Sequence, residues 1–124
     1  MSASERTKTW QGMNWCRKST RYAIYLRDGF ACVYCGQTAE DSRLSLDHLL
    51  PHHHGGGNEP TNLVTACSHC NSSRQDRTLE VWAEAVANYR NGDTTAQAVV
   101  EKVRAHVERP LDRKVARELI ARQK

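Results

Sequence analysis

Hydrophobic positions in the first half of the chain change from a helical period to a strand-like period. Ser19 or Thr20 can cap a short helix that runs to Asp28. Residues 44–50 instead place apolar and polar side chains on alternating faces, which predicts a strand, and a second short strand is predicted over residues 62–65. We therefore expect one helix and two strands in this half.

The second half is predicted to form three helices, each with an apolar stripe. Thr78 can cap the first helix, the second begins within residues 93–95, and Pro110 ends the second and can open the third. The stripes consist of Leu79, Trp82, Val86 and Tyr89, then Val99, Val103 and Val107, then Leu111, Val115 and Leu119. Such stripes either complete a small core or contact a partner, and the pattern leaves both open.

Composition and charge narrow the class of protein. The 124 residues fit a single domain, and with aromatic residues at 6% we expect a thin core that a bound metal would help to stabilise. The formal net charge is +4, and residues 1–31 carry six basic residues against two acidic ones. This basic segment either contacts a polyanion or forms a solvated tail and helix face.

The chain contains no apolar run long enough for a transmembrane helix and no hydrophobic segment typical of a secretory signal. We therefore expect a cytoplasmic protein that does not contact a membrane. In that compartment, cysteines are more often metal ligands or free thiols than members of disulfides.

Four of the five cysteines form two pairs with identical internal spacing, Cys32-x-x-Cys35 and Cys67-x-x-Cys70. Both thiolates of such a pair can reach one ion, so two pairs predict a closed, tetrahedral Zn2+ site with a structural role. Redox-active dithiols or buried free thiols are the alternative. Cys16 has no partner at ligand spacing and is expected to be a packed or exposed thiol.

A further pattern of polar residues lies between and just after these pairs. Its parts are Leu46-Asp47-His48, Gly55-Gly56-Gly57, Asn62-Leu63-Val64, and Asn71 directly after the second pair. In order and spacing, residues 20–75 resemble the HNH endonuclease family, also called the ββα-metal fold. The resemblance implies an α+β fold, with a small ββα-metal (HNH) core, a four-cysteine zinc site, an N-terminal helix and a C-terminal helical extension.

The same resemblance divides the chain into three parts. Residues 1–18 would form a basic N-terminal arm, and residues 19–77 would form the HNH nuclease core with the zinc knuckles. Residues 78–124 would be a helical extension packed on or beside that core.

The resemblance also implies the roles of the central residues. His48 would be the general base that takes a proton from the attacking water, and Asp47 would be a metal ligand. Asn62 would fix the glycine-rich loop and orient His48, and Asn71 would be the second protein ligand, as in the His-Asn-Asn variant; a helix cap is its alternative role. Imidazole titrates near neutrality, and oxygen ligands favour Mg2+ or Mn2+ as the catalytic ion.

Residues expected to contact nucleic acid surround this pattern. Arg74 follows Asn71 by one helical turn, where the family often has lysine or arginine, and Arg77 follows in turn. The histidines of the loop, His53 and His54, could contact phosphate, bind a metal or lie in solvent. From the basic N-terminal segment we add Arg21 and Arg27.

The leading interpretation is therefore a metal-dependent HNH endonuclease that hydrolyses phosphodiester bonds in DNA and is encoded by a bacterium or a phage. The alternative is a non-catalytic zinc-binding module that binds DNA. A third possibility is an adaptor, because the C-terminal helices could bind another protein or form a homodimer.

Overall fold

The centre of the protein is an antiparallel pair of strands, β1 (Leu44–His48) and β2 (Leu63–Cys67). The two strands pair along their whole length, so that His48 at the end of β1 lies opposite Leu63 at the start of β2. Both predicted strands are confirmed, although β1 ends two residues earlier than expected and β2 begins one residue later and ends two residues later. Leu49 and Leu50 therefore belong to the loop between the strands.

A short 3₁₀ helix (Pro60–Asn62) leads into β2, and five α-helices surround the strand pair in the computed structural model, which describes residues 15–51, 54–91 and 93–123. They are α1 (Lys18–Arg27), α2 (Ser68–Arg74), α3 (Leu79–Tyr89), α4 (Ala96–Val107) and α5 (Arg113–Arg122). None of the helices in these ranges has both the length and the apolar composition needed to cross a bilayer. The order β1, β2, α2 is a ββα unit, and the fold is α+β, as the resemblance implies.

Side-chain caps fix the start of the two helices that follow this unit. The hydroxyl of Thr78 accepts a hydrogen bond from the backbone N–H of Val81 at 3.3 Å, and that of Thr95 accepts one from Ala98 at 3.1 Å. These bonds satisfy backbone donors that the first turn of a helix leaves without a partner. The predicted cap at Thr78 and the predicted start of α4 are confirmed.

The start of α1 differs from the prediction. Its N-cap is Arg17, whose side chain makes no capping hydrogen bond, so the expected cap by Ser19 or Thr20 is wrong. The hydroxyl of Thr20 accepts a hydrogen bond from Nη1 of Arg113 in α5, at 2.9 Å. This long-range contact, which the local sequence cannot reveal, helps to hold α5 against α1.

Two hydrophobic clusters share the strand pair. The larger cluster joins the first cysteine knuckle and β2 to α3 and α4. The smaller cluster joins α1 to Leu46 and Leu63, and the half-buried Leu111 packs against it. Cys16 is buried in this smaller cluster. The C-terminal helices thus contribute to the core, and their apolar stripes are packing faces.

The apolar stripes of the C-terminal helices are buried, with two differences from the prediction. Tyr89, at the last residue of α3, is 64% exposed because it extends past the packed part of the helix and stacks on the ring of His69 at 5.8 Å. In α5 the buried residue is Ala116, whereas Val115 and Leu119 are only half-buried. A small alanine at the contact allows the two helix axes to approach closely.

Candidate active site and cysteine cluster

Two knuckles bring the four predicted zinc ligands together. The Sγ atoms of Cys32, Cys35, Cys67 and Cys70 all lie within 4.8 Å of one another. A tetrahedral ion with Zn–S bonds of 2.3 Å would separate its sulfurs by about 3.8 Å, and the Sγ atoms of Cys35 and Cys67 are 3.6 Å apart. The cluster confirms that these cysteines are placed to bind one metal ion.

The protonation of the cluster fits a bound cation. A hydrogen bond with Cys70 lowers the pKa of Cys32 to about 5, against the opposing effect of burial. Burial raises the pKa of Cys35 to about 11, and the hydrogen bond with Cys32 followed by burial raises the pKa of Cys70 further. One thiolate forms readily and its charge penalises the next, so four thiolates need a positive ion between them.

Asp47 is the second-to-last residue of β1, and its carboxylate is directed into the protein. Oδ2 accepts hydrogen bonds from Tyr34 Oη and Arg74 Nη1, both at 2.6 Å, and Asp47 is 6% exposed. Burial raises the pKa of Asp47, while the charge of Arg74 and the hydroxyl of Tyr34 oppose that rise. Because both contacts use Oδ2, Oδ1 is the atom through which Asp47 could hold a metal ion.

Arg74 ties α2 to the end of β1. Its side chain is fully buried, and Nη1 donates to Asp47 and to the backbone carbonyl of His48. Nη2 donates to the carbonyl of Leu49, and Nε donates to that of Arg77 at 3.1 Å. The predicted contact between Arg74 and phosphate is therefore wrong for this conformation, because the guanidinium is enclosed and occupied by protein acceptors.

His48 is half-buried and follows Asp47 on the opposite face of the strand. Its Nε2 lies 2.7 Å from Oδ1 of Asn58, and its ring packs against the indole of Trp15 at an interplanar angle of 37°, with centroids 4.9 Å apart. Because an amide oxygen only accepts, Nε2 carries the proton of the neutral ring in this contact, and Nδ1 is the nitrogen that can accept one. Sequence reasoning missed Asn58 and Trp15, because neither lies in the family pattern.

Asn62 fixes the loop that follows β1. Its Oδ1 accepts from the backbone N–H of Leu50 at 2.8 Å, and its Nδ2 donates to the carbonyl of Gly57 at 2.8 Å. A Cβ on Gly56 would lie 1.7 Å from the carbonyl oxygen of Leu50, so only glycine fits this close approach. Asn58, rather than Asn62, makes the side-chain contact with His48.

Asn71 lies inside α2, on the side that faces β1. The N-cap of α2 is Cys67, so Asn71 is not a helix cap. Its Nδ2 donates to Ser45 Oγ at 2.7 Å and to the carbonyl of Leu46 at 3.3 Å. A carbonyl acceptor fixes the orientation of the amide, so Oδ1 is the atom through which Asn71 could bind a metal ion. Ser45 and Asp47 share one face of β1, so Asn71 and Asp47 lie on the same side of that strand.

The remaining predicted nucleic-acid contacts differ in their exposure. Arg27 is 8% exposed and pairs with the neighbouring aspartate at 2.8 Å, so its predicted contact is wrong in this conformation for the same reason as that of Arg74. Arg77 and Arg21 are half-exposed, and His54 is exposed. His53 lies outside the described residues.

Comparison with known proteins supports the family resemblance. A family model described as HNH endonuclease matches residues 32–82. The CRISPR-associated endonuclease Cas9 of Actinomyces naeslundii is 40% identical over 57 residues, which cover 45% of this chain and 5% of that protein. The CRISPR-associated endonuclease Cas9 of Corynebacterium diphtheriae is 34% identical over 65 residues, which cover 52% of this chain and 6% of that protein.

A solved structure is also similar. The crystal structure of the Type II-C Cas9 enzyme from Actinomyces naeslundii aligns with 80% of this chain and 14% of its own, with 24% sequence identity and a TM-score of 0.49. The chain spans only 5% and 6% of the length of the curated relatives. The similarity to them therefore concerns one segment of much larger proteins.

Proposed function

We propose that this protein is a metal-dependent endonuclease that hydrolyses phosphodiester bonds in DNA, because residues 32–82 match a family model described as HNH endonuclease. His48 is the general base, and Asp47 and Asn71 are the protein ligands of a catalytic Mg2+ or Mn2+ ion. A Zn2+ ion in the four-cysteine cluster has a structural role. DNA as the substrate is supported by the family and by the basic charge of the N-terminal segment.

The observation that carries this proposal is the arrangement at the end of β1. There the carboxylate of Asp47 is fixed on Oδ2 by Tyr34 and Arg74, and His48 is the next residue along the strand. Asn71 contacts the same strand from α2. A buried, oriented carboxylate beside a half-exposed imidazole is a costly arrangement for a purely structural strand end, whereas it is needed for acid–base and metal chemistry.

The proposed ligands fit a hard divalent ion. A carboxylate oxygen and an amide oxygen are the ligand types that Mg2+ and Mn2+ prefer, and two protein ligands leave most of an octahedral shell to water and phosphate. When bound, such an ion stabilises the negative charge that develops on the phosphate and on the leaving 3′ oxygen. Tyr34 and Arg74 hold Asp47 in place, which is how neighbouring groups orient metal ligands.

His48 takes the proton of the attacking water on Nδ1. The water oxygen then bonds to phosphorus while the bond from phosphorus to the 3′ oxygen breaks. Asn58 keeps the other ring nitrogen protonated and holds the ring in one orientation, so Asn58 is a positioning residue. This assigns to Asn58 the orienting role that the sequence pattern had given to Asn62.

A plasmid-nicking assay with Mg2+ or Mn2+ tests the proposal. His48→Ala should slow cleavage by about 10²- to 10⁴-fold, the usual contribution of a general base. His106→Ala is the matched control, because His106 lies on α4 and contacts the backbone of that helix. Cleavage by His48→Ala at the wild-type rate would refute the assigned base, and DNA binding by the wild type without any cleavage would favour the non-catalytic module.

The role of Asn58 is tested by a rescue. Asn58→Ala removes the acceptor and should lower kcat with little change in KM, because DNA still binds. Asn58→Asp keeps an oxygen at the same position and should recover most of the rate. An Asn58→Ala protein with the wild-type kcat would show that the ring of His48 is held by other contacts.

The bacterial origin of both relatives supports the expectation of a bacterial or phage-encoded protein.

A further inference from the structure

We infer that the exposed sides of α1 and α5 form a second DNA-contact surface beside His48. This surface binds the backbone phosphates that flank the cut. We call it the basic surface and define it by Arg17, Lys18, Arg21, Arg113 and Arg117. The inference rests on the proposed function, because it assumes a DNA substrate. It assigns a role to α5, which lies outside the segment that matches the HNH family.

The helices differ in net charge, and α1 and α5 are the most basic. Within α1 there are three basic and no acidic residues, of which Arg27 is buried and paired with Asp28, and within α5 there are four basic residues and one acidic residue. In contrast, α3 has two acidic and no basic residues, and α4 has two basic residues and one acidic residue. Net positive charge is therefore concentrated on one helix pair, and the opposite pair is close to neutral.

Packing brings the charges of α1 and α5 to the same place. Nη1 of Arg113 donates to Thr20 of α1 at 2.9 Å, and the hydroxyl of Tyr22 is hydrogen-bonded to Gln123 just beyond α5. The charges of Arg21 and Arg113 both act on the thiol of Cys16, where they oppose the rise in pKa that burial causes. Two arginines from distant parts of the sequence thus lie near the same residue.

The basic surface is continuous with the candidate active site. Trp15 stacks on the ring of His48, and Arg17 and Lys18 follow within three residues. Three residues of extended chain span at most about 11 Å. A phosphate bound by Arg17 or Lys18 would therefore lie within a few nucleotides of a phosphate attacked beside His48.

The chemistry of the surface selects DNA over a protein partner. In α5, Ala116 is buried, and Val115 and Leu119 are half-buried, so the apolar side of this helix is already used in packing. Of the six exposed positions of α5, four are basic, including Arg113 and Arg117, one is acidic and one is an alanine. A surface of separated positive charges complements a regular row of phosphates and lacks the apolar centre of a protein interface.

Salt-dependent DNA binding tests the inference. The measurement is fluorescence anisotropy of a labelled duplex at several NaCl concentrations, with His48→Ala in every protein to prevent cleavage. The double variant Arg113→Gln/Arg117→Gln should reduce the slope of log K against log [NaCl] by about two, because each phosphate contact contributes about 0.9. At 0.1 M salt this corresponds to roughly 60-fold weaker binding.

Two matched controls isolate the surface. Lys102→Gln removes one positive charge from the exposed side of α4 and should leave the slope unchanged. Thr20→Val removes the hydroxyl that Arg113 contacts without changing charge, and should also leave the slope unchanged. An unchanged slope in the double variant, or an equal loss per charge with Lys102→Gln, would overturn the inference.

The outcome is separable from that of the proposed nuclease. If the wild type binds DNA through the basic surface but does not nick plasmid, the proposed binding surface is supported and the proposed nuclease activity is refuted. If the wild type nicks plasmid and the double variant binds DNA with the wild-type salt slope, the nuclease activity is supported and the binding surface is refuted. Absence of DNA binding by the His48→Ala protein at low salt would also overturn the surface.

Discussion

Replacement of Arg74 by methionine should destabilise this protein far more than replacement of an exposed arginine. The side chain of Arg74 is 0% exposed and that of Asp47 is 8% exposed, and they meet at 2.6 Å. Arg74→Met keeps an unbranched side chain of similar reach but removes the charge. It leaves the carboxylate of Asp47 buried without its cation, and it leaves the carbonyls of His48 and Leu49 without a donor.

The size of the effect follows from this burial. Loss of one partner of a buried ion pair costs about 3–5 kcal/mol, because the remaining charge stays out of water. An exposed pair contributes only about 0–1 kcal/mol. The pair Arg104–Glu80 is the matched control, since its side chains are 62% and 64% exposed at a contact distance of 3.0 Å.

Urea unfolding at 25 °C, followed by circular dichroism with zinc present, would measure both variants. We expect Arg74→Met to lose about 3–5 kcal/mol and Arg104→Met to lose less than about 1 kcal/mol. Asp47→Asn in the Arg74→Met protein should recover part of the loss, because it removes the uncompensated charge. A loss below about 1 kcal/mol for Arg74→Met, or no recovery in the double variant, would refute the reasoning from a buried pair.

Four further outcomes are expected. Removal of metal from the cysteine cluster by a strong chelator should abolish the cooperative thermal transition, whereas an unchanged transition after verified metal loss would exclude a structural ion. Tyr34→Phe keeps the ring but removes a donor to Asp47, and should weaken Mn2+ binding, measured by electron paramagnetic resonance, by about 10- to 100-fold. Gly56→Ala should cost about 1–3 kcal/mol in unfolding free energy and slow nicking, because a Cβ meets backbone there, whereas Gly57→Ala meets only a flexible glutamate side chain and should cost less. Burial raises the pKa of Tyr25 to about 12. The stability gained by burying its neutral hydroxyl is therefore complete below pH 10 and is lost as the pH rises through 12. Tyr25→Phe should reduce this alkaline loss of stability in melting experiments.

The corrections to the predicted phosphate contacts of Arg74 and Arg27 share one cause. Arg74 and Arg27 were expected to contact phosphate because basic side chains are usually exposed. Each is instead buried against acceptors that include a carboxylate. The carboxylate that pairs with Arg74 is 27 residues away in the chain, and Arg27, which pairs with the adjacent Asp28, also donates to the distant carbonyls of Pro60 and Leu63. A local pattern reports the residue type but not the distant partner that makes its burial possible.

The contacts of His48 show the same limit. The pattern of Asp47, His48 and Asn62 was visible in the sequence, although the predicted strand ran two residues past His48, where β1 ends. Asn58 and Trp15 were not predicted, because a loop amide and a tryptophan before a helix have no periodicity that would mark them. Only the path of the chain brings them to the imidazole, at 2.7 Å for the hydrogen bond and 4.9 Å for the ring centroids.

The sequence by itself determined the features that depend on near neighbours. The spacing of the two cysteine pairs predicted the cluster, Thr78 predicted the start of α3, and the alternation of residues 44–50 predicted β1. Each of these follows from backbone geometry over a few residues, which the order of side chains specifies directly.

The tertiary structure decided which charges are buried, which residue orients His48, and that α5 packs against α1. These depend on partners far apart in the chain, whose meeting is set by the packing of the whole core rather than by any local period. The family pattern therefore located the candidate active site, and the fold alone showed that Arg74 supports Asp47 from within and that positive charge collects on α1 and α5.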